Sequence, residues 1–349
     1  MSAQKFQLLC LGNPLLDIQV NGDQELLDKY DLKADDAILI EDKHKPIYQE
    51  LVSKYNPLFV PGGAAQNSAR GAQYVLPPNS VVYVGCVGDD EYAEILRKGN
   101  EKEGVFSAYR VDKEVPTGKC GAIITGVHRS LVTDLGAANH YKLEHLKSPE
   151  IWSLVEGAEV YYVGGYHLTV CVPAIKALGE HAAEKNKIFS INLSAPFIPQ
   201  FFKEQLSEVL PYADFLIGNE SEALSYAEAN GLETKDIAEI AKSIAKLPKV
   251  NEKRQRVVVI TQGTEPTVVV TATSGEPTVQ TYPVRVLAAN EVVDTNGAGD
   301  AFAGGFIGAL VAGKSVDEAV DVGQWLASWG IRQTGPSYPY PKQVYAPSS

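Results

Sequence analysis

The seven residues Asp294-Thr295-Asn296-Gly297-Ala298-Gly299-Asp300 carry the most specific chemical signal in the chain. Beyond them Phe302, Phe306 and Leu310 recur every four residues, so a helix is predicted to begin near Gly299. Small residues in its first turn let a ligand approach the main chain. The N–H groups of that turn have no partner within the helix, and with the helix dipole they make a site for an anion such as a transferring γ-phosphoryl group. Asp300 stands at the mouth of that site. Its carboxylate could accept the proton of an attacking hydroxyl and aim the oxygen at phosphorus. The helix N-terminus favours its charged form and makes it a weak base, but a loose phosphoryl-transfer transition state asks more for aim than for basicity. The plain alternative is a capped helix with Asp300 as a dipole partner; the whole string is far more specific than a lone GxG.

Other stretches offer complementary chemistry, each with a structural alternative that the residues alone leave open. Gly62-Gly63-Ala64-Ala65-Gln66-Asn67 gives a tight turn with exposed backbone, and Asn67 brings both donor and acceptor to a hydroxyl; a capped loop-to-helix junction looks the same. In Gly12-Asn13-Pro14-Leu15-Leu16-Asp17, Asp17 can accept two hydrogen bonds from a vicinal diol, or can be a turn residue. Asn219 and Glu222 are three apart at a helix start, where they can hold Mg²⁺ through water, form a capping box, or both. Arg129 can neutralise phosphate charge or sit on the surface. Thr261-Gln262-Gly263 can flank a nucleotide or simply end a strand.

One motif is a decoy. Gly308-Ala-Leu-Val-Ala-Gly313-Lys314-Ser315 satisfies the P-loop expression, but a P-loop follows a strand, and here Ala-Leu-Val-Ala continues a helix. Gly313 reads as the end of that helix and Ser315-Val316-Asp317-Glu318 as the capping box of the next. The dinucleotide fingerprint fails too, because Phe302 occupies its third glycine position.

These motifs need a scaffold. Apolar runs at 6–11, 81–87, 158–163, 187–193, 213–217 and 256–261 suit buried strands, and helical periodicity lies between them, as at 169–185 and 200–210. This alternation predicts an α/β fold, a mainly parallel central sheet with helices on both faces and ligands beyond the carboxyl ends of the strands. Residues 15–60 and 112–140 break the pattern with short β-like runs, Cys120–Thr125 and Leu131–Asp134 among them. They are expected to pair into a small, mostly β lid, leaving 1–14, 61–111 and 141–349 as the large domain. The Pro- and Tyr-rich tail after Thr334 is expected to be an extended surface strap.

Of 349 residues, 45% are apolar, enough for a sizeable core. Net charge is −12 and basic residues are scattered, which argues against a nucleic-acid backbone as the main partner. Cys10, Cys86, Cys120 and Cys171 form no CxxC pair and read as buried thiols of a reducing compartment. The amino terminus shows no export signal and no apolar run approaches a membrane span, so a cytoplasmic protein, open also to the nucleus, is expected. A monomer is expected as well, with nothing in the sequence that fixes it.

Taken together, the motifs resemble the ribokinase family, the carbohydrate and purine kinases. DTNGAGD (294–300) matches its C-terminal signature, GGAAQN (62–67) resembles its N-terminal one, and NESE (219–222) fits its N-x-x-E magnesium motif. GNPLLD (12–17), EDKH (41–44), HRSLVTDLGAAN (128–139), HLTV (167–170) and NLSAPFIP (192–199) resemble the branch that acts on adenosine, its fungal members most closely. The resemblance implies a ribokinase-like fold and transfer of the γ-phosphoryl of ATP, with Mg²⁺, to the ribose 5′-hydroxyl of adenosine, giving AMP and ADP. It implies Asp300 as base and Gly297, Ala298 and Gly299 as anion hole, with Arg129 from the lid and Asn296 beside the substrate. Asp17, Gly62, Gly63 and Asn67 would hold the ribose, with Asn13 close by. Leu16, Leu39, Cys120, Leu131 and Phe197 would line an adenine pocket. Asn219, Thr261, Gly263, Asn290, Gln324 and Ala327 would surround ATP, and Asn219 with Glu222 would organise Mg²⁺. Two positions depart from the animal members of that branch: Ala64 replaces a serine, and His167 replaces a phenylalanine that lies against the base. His167 admits both a base-stacking and a hydrogen-bonded core role. A sugar kinase of the same fold and a silent nucleoside-binding regulator are the rival readings.

Overall fold

A computed structural model describes residues 5–34, 37–126 and 128–348; residues 1–4, part of the amino terminus in which no export signal is read, lie outside the described residues. Its strands are β1 (Leu8–Leu11), β2 (Leu15–Asn21), β3 (Ala37–Leu39), β4 (Leu58–Gly62), β5 (Val81–Gly88), β6 (Phe106–Asp112) and β7 (Lys119–Thr125). There follow β8 (His128–Asp134), β9 (Val160–Val163), β10 (Ile188–Asn192), β11 (Phe215–Asn219), β12 (Val257–Gln262), β13 (Glu265–Thr271) and β14 (Thr278–Tyr282).

Among the described residues nine strands form one sheet in the order β14-β13-β12-β11-β10-β9-β1-β5-β6. All are parallel except the β13–β14 edge, a hairpin extension that the sequence reading does not anticipate. The inner parallel strands are largely buried, β5 along its whole length, which is why they read as unbroken apolar runs; the edge strand β6 is half-exposed and does not. The chain leaves β1 toward β5 and β6 on one side, then returns to build β9 through β12 on the other. The order therefore reverses between β1 and β9, and the carboxyl ends of these strands flank a crevice suited to ligands. Asn13, Asn192, Asn219 and Gln262 all lie at or just beyond such ends. The helical stretch expected at 200–210 is divided, with helices at Phe197–Phe201 and Lys203–Val209.

The second sheet, β3-β8-β7-β2-β4, is built from two stretches far apart in sequence. Ile18 and Val20 of β2, Ile123 of β7 and Val132 of β8 pack with Leu26, Leu27, Ile47 and Leu51 from two helices on one face. Strand alternation turns Asp17 and Gln19 of β2, with their register neighbours Cys120 and Ala122 of β7 and Leu131 of β8, to the other face.

The helix Ala298–Val311 packs against Val316–Gly330 and against Ala64–Val75. Glycines make that approach possible: a Cβ on Gly304 would lie 2.6 Å from the Ser68 carbonyl oxygen and 2.9 Å from the Gly71 Cα. This contact brings the helix that opens with the GGAAQN turn against the helix that carries Asp300. The tail runs as an extended strap, but not wholly on the surface. Tyr338 is buried against Tyr74, and its hydroxyl donates to the Asn67 carbonyl at 3.3 Å. The four cysteines are buried and free. Among the described residues no helix is long and apolar enough to cross a membrane. The P-loop decoy resolves as read: Gly313 takes φ +77°, Ser315 and Glu318 form a capping box, and Lys314 is exposed beside Glu318.

Candidate active site

Gly297 is the N-cap of the helix Ala298–Val311, at φ +78°. Only glycine suits both that left-handed turn and its surroundings, since a Cβ there would lie 2.8 Å from the Pro336 Cβ. The expected anion hole of Gly297, Ala298 and Gly299 is altered in one respect. Ala298 donates its N–H to the Thr295 carbonyl at 3.2 Å, which closes the turn. The amides the first turn leaves for an anion are those of Gly299 and Asp300, because intrahelical bonding starts with Ala301 N–H on the Gly297 carbonyl at 2.8 Å. A Cβ on Gly299 would meet open space, so the approach to those amides is clear.

Asp300 sits in that first turn, and Asn67 donates from Nδ2 to its Oδ2 at 2.9 Å across 233 residues of sequence. Burial pushes the Asp300 carboxyl up to about 7, against the opposing pull of the Asn67 hydrogen bond and the Arg70 charge. The sequence reading expects a weak base held ionised by the helix end. Desolvation outweighs that field, and the group becomes a better proton acceptor at neutral pH. Asp17 behaves alike: burial raises it to about 7, Arg129 and Arg70 oppose, and Asp300 adds to the rise. A Cβ on Gly62 would collide with the Asp17 carboxylate, and one on Gly63, at φ +90°, with the Asn13 carbonyl. The paired glycines thus let the turn close directly over Asp17.

Asn13 donates through Nδ2 to the Tyr166 carbonyl at 3.3 Å, so its Oδ1, 2.8 Å from His167 Nδ1, accepts the imidazole proton. His167 is fully buried, edge-on to Tyr141 at 5.2 Å, and burial lowers its pKa to about 3. It is therefore neutral and hydrogen-bonded through Nδ1, the core role of the two left open, while its Nε2 is buried without a partner among the described residues.

A correction concerns Leu16. It adjoins Asp17 on β2, so strand alternation points it to the opposite face, and it is fully buried. Leu15 shares the Asp17 face and stays half-buried, and a Cβ on Gly118 would touch its Cδ2 at 2.7 Å. Leu15 is the apolar neighbour the sequence reading missed, by one step of a period-two pattern. Cys120 is buried on that face and takes a hydrogen bond from Thr133 at 3.3 Å; Leu131 is half-buried and Leu39 exposed at the sheet edge. Phe197 is half-buried, its ring 5.9 Å from Tyr166.

At the ends of β11 and β12, Asn219 and Thr261 are register neighbours. Asn219 and Glu222 form a reciprocal capping box, with Glu222 N–H on Asn219 Oδ1 and Asn219 N–H on Glu222 Oε2, both at 2.9 Å. Burial raises the Glu222 carboxyl to about 7, with the Asn219 N–H opposing. Among the described residues no group of three or more His, Cys, Asp or Glu gathers to enclose a metal. Gly263 turns at φ +57° beyond Thr261. Gln324 is less available than expected: its Nε2 donates to Thr267 Oγ1 at 3.2 Å and to the Tyr282 carbonyl at 3.3 Å, tying it to the β13–β14 edge. Ala327 lies half-buried on the helix Val316–Gly330, and Asn290 is exposed in the turn Ala289–Glu291.

Arg129 does not lie on an open surface. Its Nη2 is 2.7 Å from Asp294 Oδ2, and the Asn296 N–H reaches Asp294 Oδ1 at 2.9 Å. The sequence reading also missed Arg70, three residues after Asn67 on the same helix. It is buried, donates to the Pro61 carbonyl at 2.5 Å and to the Pro336 carbonyl, and lies 3.3 Å from Glu103. Its helical spacing from Asn67 was visible, but a buried arginine is so uncommon that nothing in the sequence recommended it.

Comparison with known proteins bears on what this arrangement does. The sequence profile of the pfkB family carbohydrate kinases matches residues 24–343. The adenosine kinase of Schizosaccharomyces pombe is 50% identical over 340 residues, 97% of this chain and 98% of that protein. That of Schizophyllum commune is 51% identical over 339 residues, covering 97% and 98%. Among solved structures, Anopheles gambiae adenosine kinase in complex with P1,P4-di(adenosine-5) tetraphosphate superposes with a TM-score of 0.89 at 44% identity, over 94% of this chain and 96% of that one.

Proposed function

The chain belongs to the pfkB family of carbohydrate kinases, and from that premise we propose that it phosphorylates adenosine on the ribose 5′-hydroxyl, with ATP as donor and AMP and ADP as products. The observation that carries the reading is the meeting of Asp300, held at 2.9 Å by Asn67, with the two unused amides of its own helix end. A nucleophile's proton acceptor and a phosphate cradle then share one turn.

The steps follow from the side chains. Asp17, ionised, accepts the two ribose hydroxyls, while Arg129 and Arg70 favour its charge. Asn67 orients Asp300, which takes the 5′-hydroxyl proton as the new oxygen–phosphorus bond forms and the bond to the ADP β-phosphate oxygen breaks. The Gly299 and Asp300 amides stabilise charge on the γ-phosphoryl oxygens in passage. Leu15, Cys120, Leu131, Leu39 and Phe197 supply apolar surface for the base. ATP lies across the ends of β11 and β12, near Asn219, Thr261, Gly263, Asn290 and Ala327. Glu222 and Asn219 suit Mg²⁺ through water, because their cap bonds leave oxygen lone pairs but no closed ligand set; the ion would neutralise triphosphate charge. Residues 15–60 and 112–140 act as the lid that excludes water. The buried free thiols fit work in the reducing cytoplasm, where the chain is proposed to act as a monomer.

One incubation tests this. The pure protein with ATP, Mg²⁺ and equal adenosine, ribose and fructose should form AMP and leave both sugars unphosphorylated. Sugar phosphate in place of AMP would make it a sugar kinase, and no turnover would make it a silent binder.

A further inference from the structure

Asp294 opens the motif but has no part in the steps above. Its carboxylate nevertheless joins three separate parts of the chain. Oδ1 accepts the Asn296 N–H at 2.9 Å, within the loop that leads to the anion site. Oδ2 accepts the Gly335 N–H of the C-terminal strap at 2.8 Å and lies 2.7 Å from Arg129 Nη2 on β8 of the small sheet. The Arg129 and Asp294 side chains are only 10% and 14% exposed, so this pair is shielded from water and salt as a surface pair is not.

A second contact on the same face acts the other way. Gln19 of β2 is 3% exposed, and neither amide atom has a hydrogen-bond partner among the described residues. It lies against Gly335, where a Cβ would come within 2.5 Å of its Nε2. A buried amide without partners disfavours the arrangement that buries it. The ion pair therefore draws the small sheet onto the loop and strap, while Gln19 opposes that seating.

We propose that Asp294 is a positioning residue for phosphoryl transfer: by pairing with Arg129 while holding Asn296 and Gly335, it makes seating of the small sheet and ordering of the anion-site loop a single event. The inference rests on the kinase reading. Arg129 and the anion site work together because one carboxylate fixes both, and Gln19 keeps the seated form close to balance with the open one so that product can leave.

The test uses the full chain and two readouts. Backbone hydrogen exchange of residues 119–134, measured without substrates, should be about tenfold faster in Asp294→Asn and slower in Gln19→Leu than in the wild type. In steady state Asp294→Asn should lower kcat/KM for adenosine by about tenfold, and adding Arg129→Gln should lower it no further than the worse single variant. Gln19→Leu should lower both KM and kcat, as tighter seating slows release. The melting temperature of Asp294→Asn should stay near that of the wild type, which separates lost seating from general unfolding. Unchanged exchange in Asp294→Asn, or multiplying losses in the double variant, would overturn the proposal. Wild-type turnover is read alongside. Its absence with the exchange pattern intact overturns the kinase reading and leaves the seating standing.

Discussion

Asp300 and Asp17 face one problem, two carboxylates in a site that burial has made costly for charge. Both are raised to about 7, mainly by desolvation, and Asp300 adds to the rise at Asp17. On the proposed mechanism Asp300 must be unprotonated to accept the hydroxyl proton and Asp17 charged to hold the diol, so kcat/KM should climb as pH rises through about 7 and level off above. The limb belongs to the pair and has no single owner. Stability runs the other way. An unfolded aspartate releases its proton near pH 4, whereas these two hold theirs to about 7, so the folded form binds more protons between those values and loses stability as pH rises across that window. Urea unfolding from pH 5 to pH 8 should show that decline, and Asp300→Asn, which cannot ionise, should make it shallower, with Asp17 and Glu222 still contributing. The same variant should reduce turnover by about a thousandfold while adenosine still binds. Near-normal turnover would remove Asp300 from the chemistry, whatever the unfolding curves show.

The elements decide which glycines serve the fold and which serve the ligand. Gly297 and Gly299 are two apart in one helix end, yet a Cβ meets Pro336 at the first and open space at the second. Gly297→Ala should therefore destabilise the protein by about 1–2 kcal/mol through its left-handed φ and the clash, visible as a lower melting temperature. Gly299→Ala should fold normally but raise KM for ATP by about tenfold or more, because its methyl group enters the space above the free amides. Equal melting losses in the two variants would mean that the space above Gly299 is not a ligand's. Lys314 gives the converse case. A P-loop lysine is indispensable, but this one is exposed at a helix junction beside Glu318, so Lys314→Ala should leave kcat and KM for ATP within about twofold of wild type. The six inner parallel strands, this helix and the decoy were legible in the sequence because each is a local pattern: an apolar run, a four-residue recurrence, a capping box; the edge strand β6, with no apolar run, was not. Nor was the phase of β2 at its first residues, so the reading chose Leu16, where strand alternation puts Leu15 on the Asp17 face. His167 was legible only as a choice between stacking and core, because a lone histidine in an apolar stretch carries no mark of which neighbours enclose it.

At the scale of the whole molecule the site is held by pairings that no window of sequence contains. Asn67 and Asp300 meet across 233 residues, and Arg129 on the small sheet meets Asp294 on the anion-site loop. The strap after Thr334 does most to tie these together, and it was least legible, because a proline- and tyrosine-rich stretch has neither helical nor strand period. It reads as a surface segment, yet Tyr338 is buried beneath Asn67 and Pro336 accepts from Arg70. The Tyr74 hydroxyl donates to the Pro339 carbonyl at 2.8 Å and accepts the Gln343 N–H at 2.7 Å, and Gly335 supports Asp294. The contacts end on the helix Ala64–Val75 and on the Asp294 loop, so the strap braces that helix against the loop that leads into the helix Ala298–Val311. A chain stopped after Thr334 should lose the buried Tyr338 ring, with its cavity and transfer cost of several kcal/mol, and melt about 10 °C lower. Activity should fall further than the melting shift accounts for, because Asn67, Arg70 and Asp294 each lose a partner while the parallel sheet stays folded. Tyr338→Ala separates the two effects. It keeps the Gly335 and Pro336 contacts and removes the support under Asn67, so kcat should drop by about tenfold at a temperature where circular dichroism shows the variant fully folded. A kcat equal to wild type under those conditions would show that the strap stabilises the molecule without positioning the residues that do its chemistry.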